Sequence, residues 1–161
     1  MSVSVLVMEL LVETPNLLLG GFMIAVTVFL QAGAQSLLIG PILRSGRRFM
    51  LRHAPKLMPL ALVIISALVL FAAHVTQIWV WAILYMGLGE FADLTDALYF
   101  STTTFTTVGY GDVIIENSAN RLLASFESAN GMLLFGWSTA LLFKIISTVY
   151  SDHFERLDAE G

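Results

Sequence analysis

Three long stretches with almost no formal charge divide this chain and limit its fold more than any other feature. Residues 17–43 contain no Asp, Glu, Lys or Arg, residues 57–89 contain none, and residues 122–143 contain Glu127 alone. A helix needs roughly 20 apolar residues to cross the ~30 Å hydrocarbon core of a bilayer. Each run meets that length, and the second is long enough to tilt or to project beyond the bilayer. Charged residues make up 12% of the 161 residues, against about 25% in a soluble domain. An ordinary soluble globule and a disordered chain are both excluded. Cysteine is absent, which removes disulfides, thiolate metal sites and cysteine nucleophiles. The net charge of −4 and the clustering of the basic residues suggest no nucleic-acid surface.

A fourth run, residues 97–111, is uncharged but too short to span. It is bracketed by Asp93 and Asp96 on one side and by Asp112 and Glu116 on the other, and it carries Ser101, Thr102, Thr103, Thr104, Thr106 and Thr107. Lipid-exposed chain does not look like this. A segment that enters the membrane and leaves on the same side, shielded by protein, does. The expected organisation is an N-terminal segment and first spanning helix over 1–43, a basic loop over 44–56, an outer helix over 57–89, a re-entrant helix over 93–106, a connecting stretch over 107–112, a third, inner span over 121–150, and a short tail over 151–161. Thr14-Pro15-Asn16 marks the start of the first span, because a proline's missing N–H needs no partner there. Asp93 and Asp96 are placed to form a capping box at the start of the re-entrant helix.

Arg44, Arg47, Arg48, Arg52 and Lys56 lie between the first two spans. The positive-inside rule makes that loop cytoplasmic, the N-terminus external and the C-terminus cytoplasmic. The basic residues lie outside the apolar runs, so they read as a topology determinant or an interfacial helix rather than a voltage sensor. In the first span Gly21 and Ala25, and then Ala32, Ser36 and Gly40, stand four residues apart, a pattern of ordinary close helix packing. His74 with Gln77 one turn later suggests an interhelical hydrogen bond or a pH sensor. Glu127 suggests a functional carboxylate or a hydrogen bond to the hydroxyl-rich re-entrant helix. No nucleophile triad, His/Glu metal spacing or phosphate-cradling loop is present, so an enzyme is not expected.

Thr107-Val108-Gly109-Tyr110-Gly111, preceded by Thr106 and followed by Asp112, resembles the selectivity filter of the potassium channel pore-domain family, for which this pentapeptide is the type example. The resemblance covers roughly residues 57–150, with the first helix as an addition. It implies an all-α integral membrane protein: three transmembrane helices plus a re-entrant pore helix and filter, assembled as a homotetramer because one chain carries one filter. Backbone carbonyls of Thr107, Val108, Gly109 and Tyr110, with the Thr107 hydroxyl, would bind potassium, a permeant ligand rather than a cofactor. Gly109 and Gly111 can take left-handed dihedrals at no steric cost. Thr106 and Asp112 would support the filter. Tyr99 and Phe100 stand where many members have bracing tryptophans, and Thr103 where some have a glutamate. Gly131 would occupy the gating-hinge position, with close packing against a neighbouring helix as the alternative. Met132, Phe135 and Thr139 would line the cavity, and Phe143, followed by Ser147, would form a constriction near the cytosolic mouth.

The expected function is passive, potassium-selective conduction, with a weakly selective cation channel or a non-conducting regulatory subunit as alternatives. The expected partners are membrane lipid and three further copies, in a prokaryotic inner membrane.

Overall fold

The computed structural model describes the backbone of residues 3–38, 40 and 57–160, all helical or irregular, with no strand among them. Among the described residues, four α-helices follow in order: α1 (Val3–Leu37), α2 (Met58–Gly87), α3 (Leu94–Phe105) and α4 (Arg121–Glu160), with a short 3-10 turn over Ser118–Asn120 before α4. Windows long and apolar enough to cross a membrane lie at Thr14–Leu37, Pro59–Gly87 and Arg121–Thr148. The re-entrant α3 has 12 residues, too few to span. The basic loop expected over 44–56 lies outside the described residues.

Two boundaries differ from the sequence expectation. Helix α1 begins at Val3 and runs through Pro15, so Thr14-Pro15-Asn16 is not a helix start. An internal proline forfeits one backbone hydrogen bond, a loss that helices in membranes tolerate where neighbouring groups or water take over the freed carbonyl. Helix α4 continues to Glu160, so most of the expected tail is helical. It is also unbroken at Gly131 and Gly136.

The chain divides into two compact units, Met1–Phe29 with Val75–Leu134, and Leu30–His74 with Phe135–Gly161. The first holds the re-entrant segment. Its core joins Met23 of α1, Trp81 and Tyr85 of α2, Phe100 and Phe105 of α3, and Leu123 and Leu134 of α4, with Ile115 from the loop. Tyr85 sets its ring edge-on to Phe100 at 5.2 Å and edge-on to Phe91 at 6.4 Å. These edge-to-face pairs add directional packing to the area that the rings bury.

In this first unit α1 buries a face unlike the expected one. Gly21 and Ala25 are exposed, whereas Gly20, Met23 and Thr27 are buried. A Cβ on Gly20 would lie 2.6 Å from the Phe126 ring. Thr27 accepts a hydrogen bond from Asn130 Nδ2 at 2.7 Å, and its carbonyl accepts one from Gln77 at 3.4 Å. Lipid tails are as apolar as leucine, so the hydrophobic effect does not choose the face. Close approach and interhelical hydrogen bonds do, and Leu18 and Phe22 are left outward.

The second unit follows the same rule. Gln31 is buried and donates to Ser138 Oγ at 2.8 Å. Ser138 Oγ also lies 3.0 Å from His74 Nε2, and the His74 ring packs 4.5 Å from that of Phe135. Ala32 and Ser36 are exposed, so the small-residue stripe of the sequence reading is not the contact face here either.

Candidate functional site

The site is built from the C-terminal end of α3 and the irregular chain that follows it. Helix α3 starts at Asp93, whose backbone is extended with φ −111° and ψ 137° and whose side chain makes no capping hydrogen bond. The expected capping box is therefore absent. Both Asp93 and Asp96 are exposed, so water can serve the free N–H groups. Three of the expected hydroxyls turn back onto the helix's own carbonyls. Thr102 donates to Leu98, Thr103 to Phe100 and Thr106 to Thr102. This local bonding competes with regular helix and leaves only part of the hydroxyl-rich surface for other helices.

Beyond Phe105 the backbone alternates. Thr107, Gly109 and Gly111 have φ of 61°, 53° and 78°, all left-handed. Gly109 and Gly111 have open space where a Cβ would stand, so it is the dihedral that calls for glycine there. Thr107 is β-branched and holds the same conformation against its steric preference. The sequence reading assigned this role to the two glycines and missed Thr107, which no rule of residue preference would select.

This single irregular strand of chain, outside any β-sheet, is stitched to α3. The Thr107 N–H donates to the Thr104 carbonyl at 3.0 Å, and the Gly109 N–H donates to the Thr103 carbonyl at 3.1 Å. There are no cis peptides among the described residues, and a trans peptide points its C=O opposite to its N–H. The Val108 carbonyl, which shares a peptide with the Gly109 N–H, therefore points away from α3. Two of the side chains on this strand, Val108 and Tyr110, are 51% and 72% exposed. An open cleft lined by Thr103, Thr107, Gly109, Ser125 and Ser128 lies beside it.

At the far end of the strand, Tyr99 donates its hydroxyl to Asp112 Oδ2 at 2.7 Å, and Asp112 Oδ1 accepts from the Val113 N–H at 3.1 Å. The Tyr99 bond is the main reason the Asp112 carboxyl lies below its usual value, and the same bond raises the Tyr99 phenol. Tyr99 thus supplies an O–H donor where many members of the resembling family carry an indole. Glu90 accepts a hydrogen bond from Asn120 Nδ2. Arg121 Nε donates to the Ile115 carbonyl at 3.1 Å, which fixes the loop ahead of α4.

Helix α4 grips the end of α3. Ser128 donates to the Thr104 carbonyl at 3.0 Å. Gly131 lies so close to Phe105 that a Cβ would sit 1.9 Å from its carbonyl oxygen. Glu127 is fully buried, 0% exposed, and meets Ser101 of α3 and Tyr85 of α2. Of the other residues singled out from the sequence, Met132 is 64% exposed and Phe143 72% exposed. Thr139 is exposed, with its hydroxyl bonded back to the Phe135 carbonyl at 2.8 Å. Phe135 lies against His74, as above. Among the described residues, Met132, Thr139 and Phe143 are left exposed.

Comparison with known proteins agrees with this geometry. The family model described as "Ion channel" matches residues 60–148, more than half of the chain. Two-pore potassium channel 1 of Arabidopsis thaliana is 54% identical over 43 residues, which cover 27% of this chain and 12% of that protein. Two-pore potassium channel 4 of the same plant is 38% identical over 56 residues, covering 35% of this chain and 19% of that one. The aligned stretches are therefore less than a fifth of these relatives' lengths. Both relatives come from a plant and lend nothing to the expected prokaryotic location. No solved structure matches.

Proposed function

Since this chain belongs to the ion channel family and is an integral membrane protein, we propose that it conducts potassium selectively and passively through a pore formed by four copies. The observation that carries this reading is the alternation of left-handed backbone at Thr107, Gly109 and Gly111, with the Gly109 N–H held by α3. A potassium ion that sheds its water needs stacked oxygen ligands at close spacing. The Val108 carbonyl turned away from α3 is one such ligand, and Thr107, Gly109 and Tyr110 supply the others in turn. One chain offers one side of the ring, so cyclic symmetry closes it. The exposure of Val108 and Tyr110 fits this assembly, because a neighbouring copy can cover them.

Helix α3 aims its C-terminal end at the same strand, and the partial negative charge of that end favours a cation. Asp112, with Thr106 at the helix end, supports the filter. Met132, Phe135 and Thr139 face the cavity, Phe143 forms the lower constriction, and Gly131 is the candidate hinge. The basic residues Arg44, Arg47, Arg48, Arg52 and Lys56 support an external N-terminus and a cytosolic C-terminus by the positive-inside rule. The likeness to proteins named as potassium channels favours potassium over other cations.

Purified protein in liposomes tests this. A potassium gradient should drive a flux that an equal sodium gradient does not. Equal fluxes would indicate a weakly selective cation channel, and no flux a regulatory subunit. Either result would overturn the proposal.

A further inference from the structure

Glu127 has an unusual place. It is the one carboxylate within the apolar part of α4, and it joins three helices of the unit that carries the filter. Tyr85 Oη lies 2.7 Å from Glu127 Oε2. Ser101 Oγ lies 2.5 Å from Glu127 Oε1 and 2.9 Å from the Ile78 carbonyl oxygen. Each of these three oxygen–oxygen contacts needs a proton between its atoms. Tyr85 and Ser101 supply one each, because a hydroxyl carries a single hydrogen, and a backbone carbonyl supplies none. The third proton must come from the carboxyl group.

We propose that Glu127 is a neutral carboxylic acid that positions the pore helix behind the filter, donating to Ser101 while accepting from Tyr85. The proposal rests on the reading of residues 107–111 as a potassium filter. In this arrangement Ser101 passes its own proton to the Ile78 carbonyl, and every contact is satisfied. The surroundings agree with a neutral group. Tyr85 is the one titratable side chain set against the carboxyl from α2, and α3 offers only the Ser101 hydroxyl. No ion pair with Glu127 is present among the described residues. An ionised carboxylate buried without a cation carries a large desolvation cost.

The consequence reaches the filter through α3. The carbonyls of Thr103 and Thr104 hold the Gly109 and Thr107 N–H groups, so a displacement of α3 moves the ion ligands. Ser128 and Gly131 also hold α3 to α4, and Glu127 of α4 reaches both α3, through Ser101, and α2, through Tyr85. It touches no ion, and its role is positioning.

The test uses the full chain in lipid vesicles. Glu127→Gln keeps one N–H donor and one carbonyl acceptor in the same places, so it copies the neutral acid. It should retain the wild-type potassium-to-sodium permeability ratio. Glu127→Ala strands two buried hydroxyls and should lower that ratio about tenfold. Should Glu127→Ala fail to assemble, Ser101→Ala and Tyr85→Phe, judged on recovered oligomers, take its place with the same expected fall. Infrared spectra of the wild type at neutral pH should show a protonated-carboxyl C=O band that Glu127→Gln lacks. Raising the pH until that band disappears should lower selectivity in the wild type and not in Glu127→Gln. A missing band at neutral pH, or a Glu127→Gln variant as defective as Glu127→Ala, overturns the proposal. If the wild type itself passes sodium and potassium equally, the filter reading fails, and the band alone decides whether Glu127 holds its proton.

Discussion

A carbonyl-lined filter depends on backbone angles that most residues avoid. At Gly109, φ is 53° with open space around the missing Cβ, so alanine there meets no neighbour and suffers only the left-handed penalty. That penalty is about 1–2 kcal/mol. Gly109→Ala should therefore still fold and assemble, with a modest loss of thermal stability, but should lose potassium-selective current. Thermal unfolding and reversal potentials on one preparation check both parts. The Tyr99–Asp112 contact makes a different prediction. The Asp112 carboxyl is held below its ordinary 3.8 chiefly by the Tyr99 hydroxyl. A lowered folded-state value means that the tie is fully present above the ordinary carboxylate range and is lost as pH falls through the lowered value. Acidifying the Asp112 side should leave filter open time unchanged down to about the ordinary carboxylate range and shorten it only below. In Tyr99→Phe the loss should begin at higher pH. Recordings at stepped pH decide it, and identical pH profiles for the two proteins would remove Tyr99 from the filter's support.

Helix α4 shows how two glycines in one element differ. At Gly131 a Cβ would collide with the Phe105 carbonyl, whereas at Gly136 it would meet nothing. Gly131→Ala should destabilise by about 1–3 kcal/mol through overpacking against the end of α3. Gly136→Ala should stabilise by up to about 1 kcal/mol through helix propensity. Denaturation of the two variants in the same detergent measures the contrast, and equal effects would show that close packing is not what Gly131 provides. From the sequence, Gly131 was legible as a special position, but the carbonyl against it was not, because that contact joins residues far apart in the chain. The same holds for α1. Its length as a span was legible from the missing charges. Its contact face was not, because a stripe of small residues marks where helices can approach and not where they do. Gly20 against Phe126 and Thr27 against Asn130 are pairings between distant segments. Pro15 was misleading because helices in membranes accept internal prolines.

Among the described residues, Val108 and Tyr110 beyond α3 and Met132 and Phe143 of α4 are exposed, and the proposed tetramer would cover them as filter packing and pore lining. Native mass spectrometry of protein in mild detergent should give four copies, and a monomer as the conducting species would contradict the assembly. Four Phe143 rings near the cytosolic end would close a narrow pore by expelling water. Phe143→Ala should then raise resting conductance and cytosolic blocker access without changing ion selectivity. An unchanged resting state would move the gate to the filter. The alternating backbone of the proposed filter was the most legible part of the candidate site, since Gly109 and Gly111 lie in one contiguous pentapeptide whose chemistry is in the backbone. Its supports were less so, because Tyr99, Glu127 and Ser101 become partners only when the helices pack. The account stands most directly on a reversal potential, measured across a bilayer holding the purified wild-type protein with potassium on one side and an equal concentration of sodium on the other. A value displaced strongly in the direction set by potassium efflux is predicted, and a value near zero would contradict it.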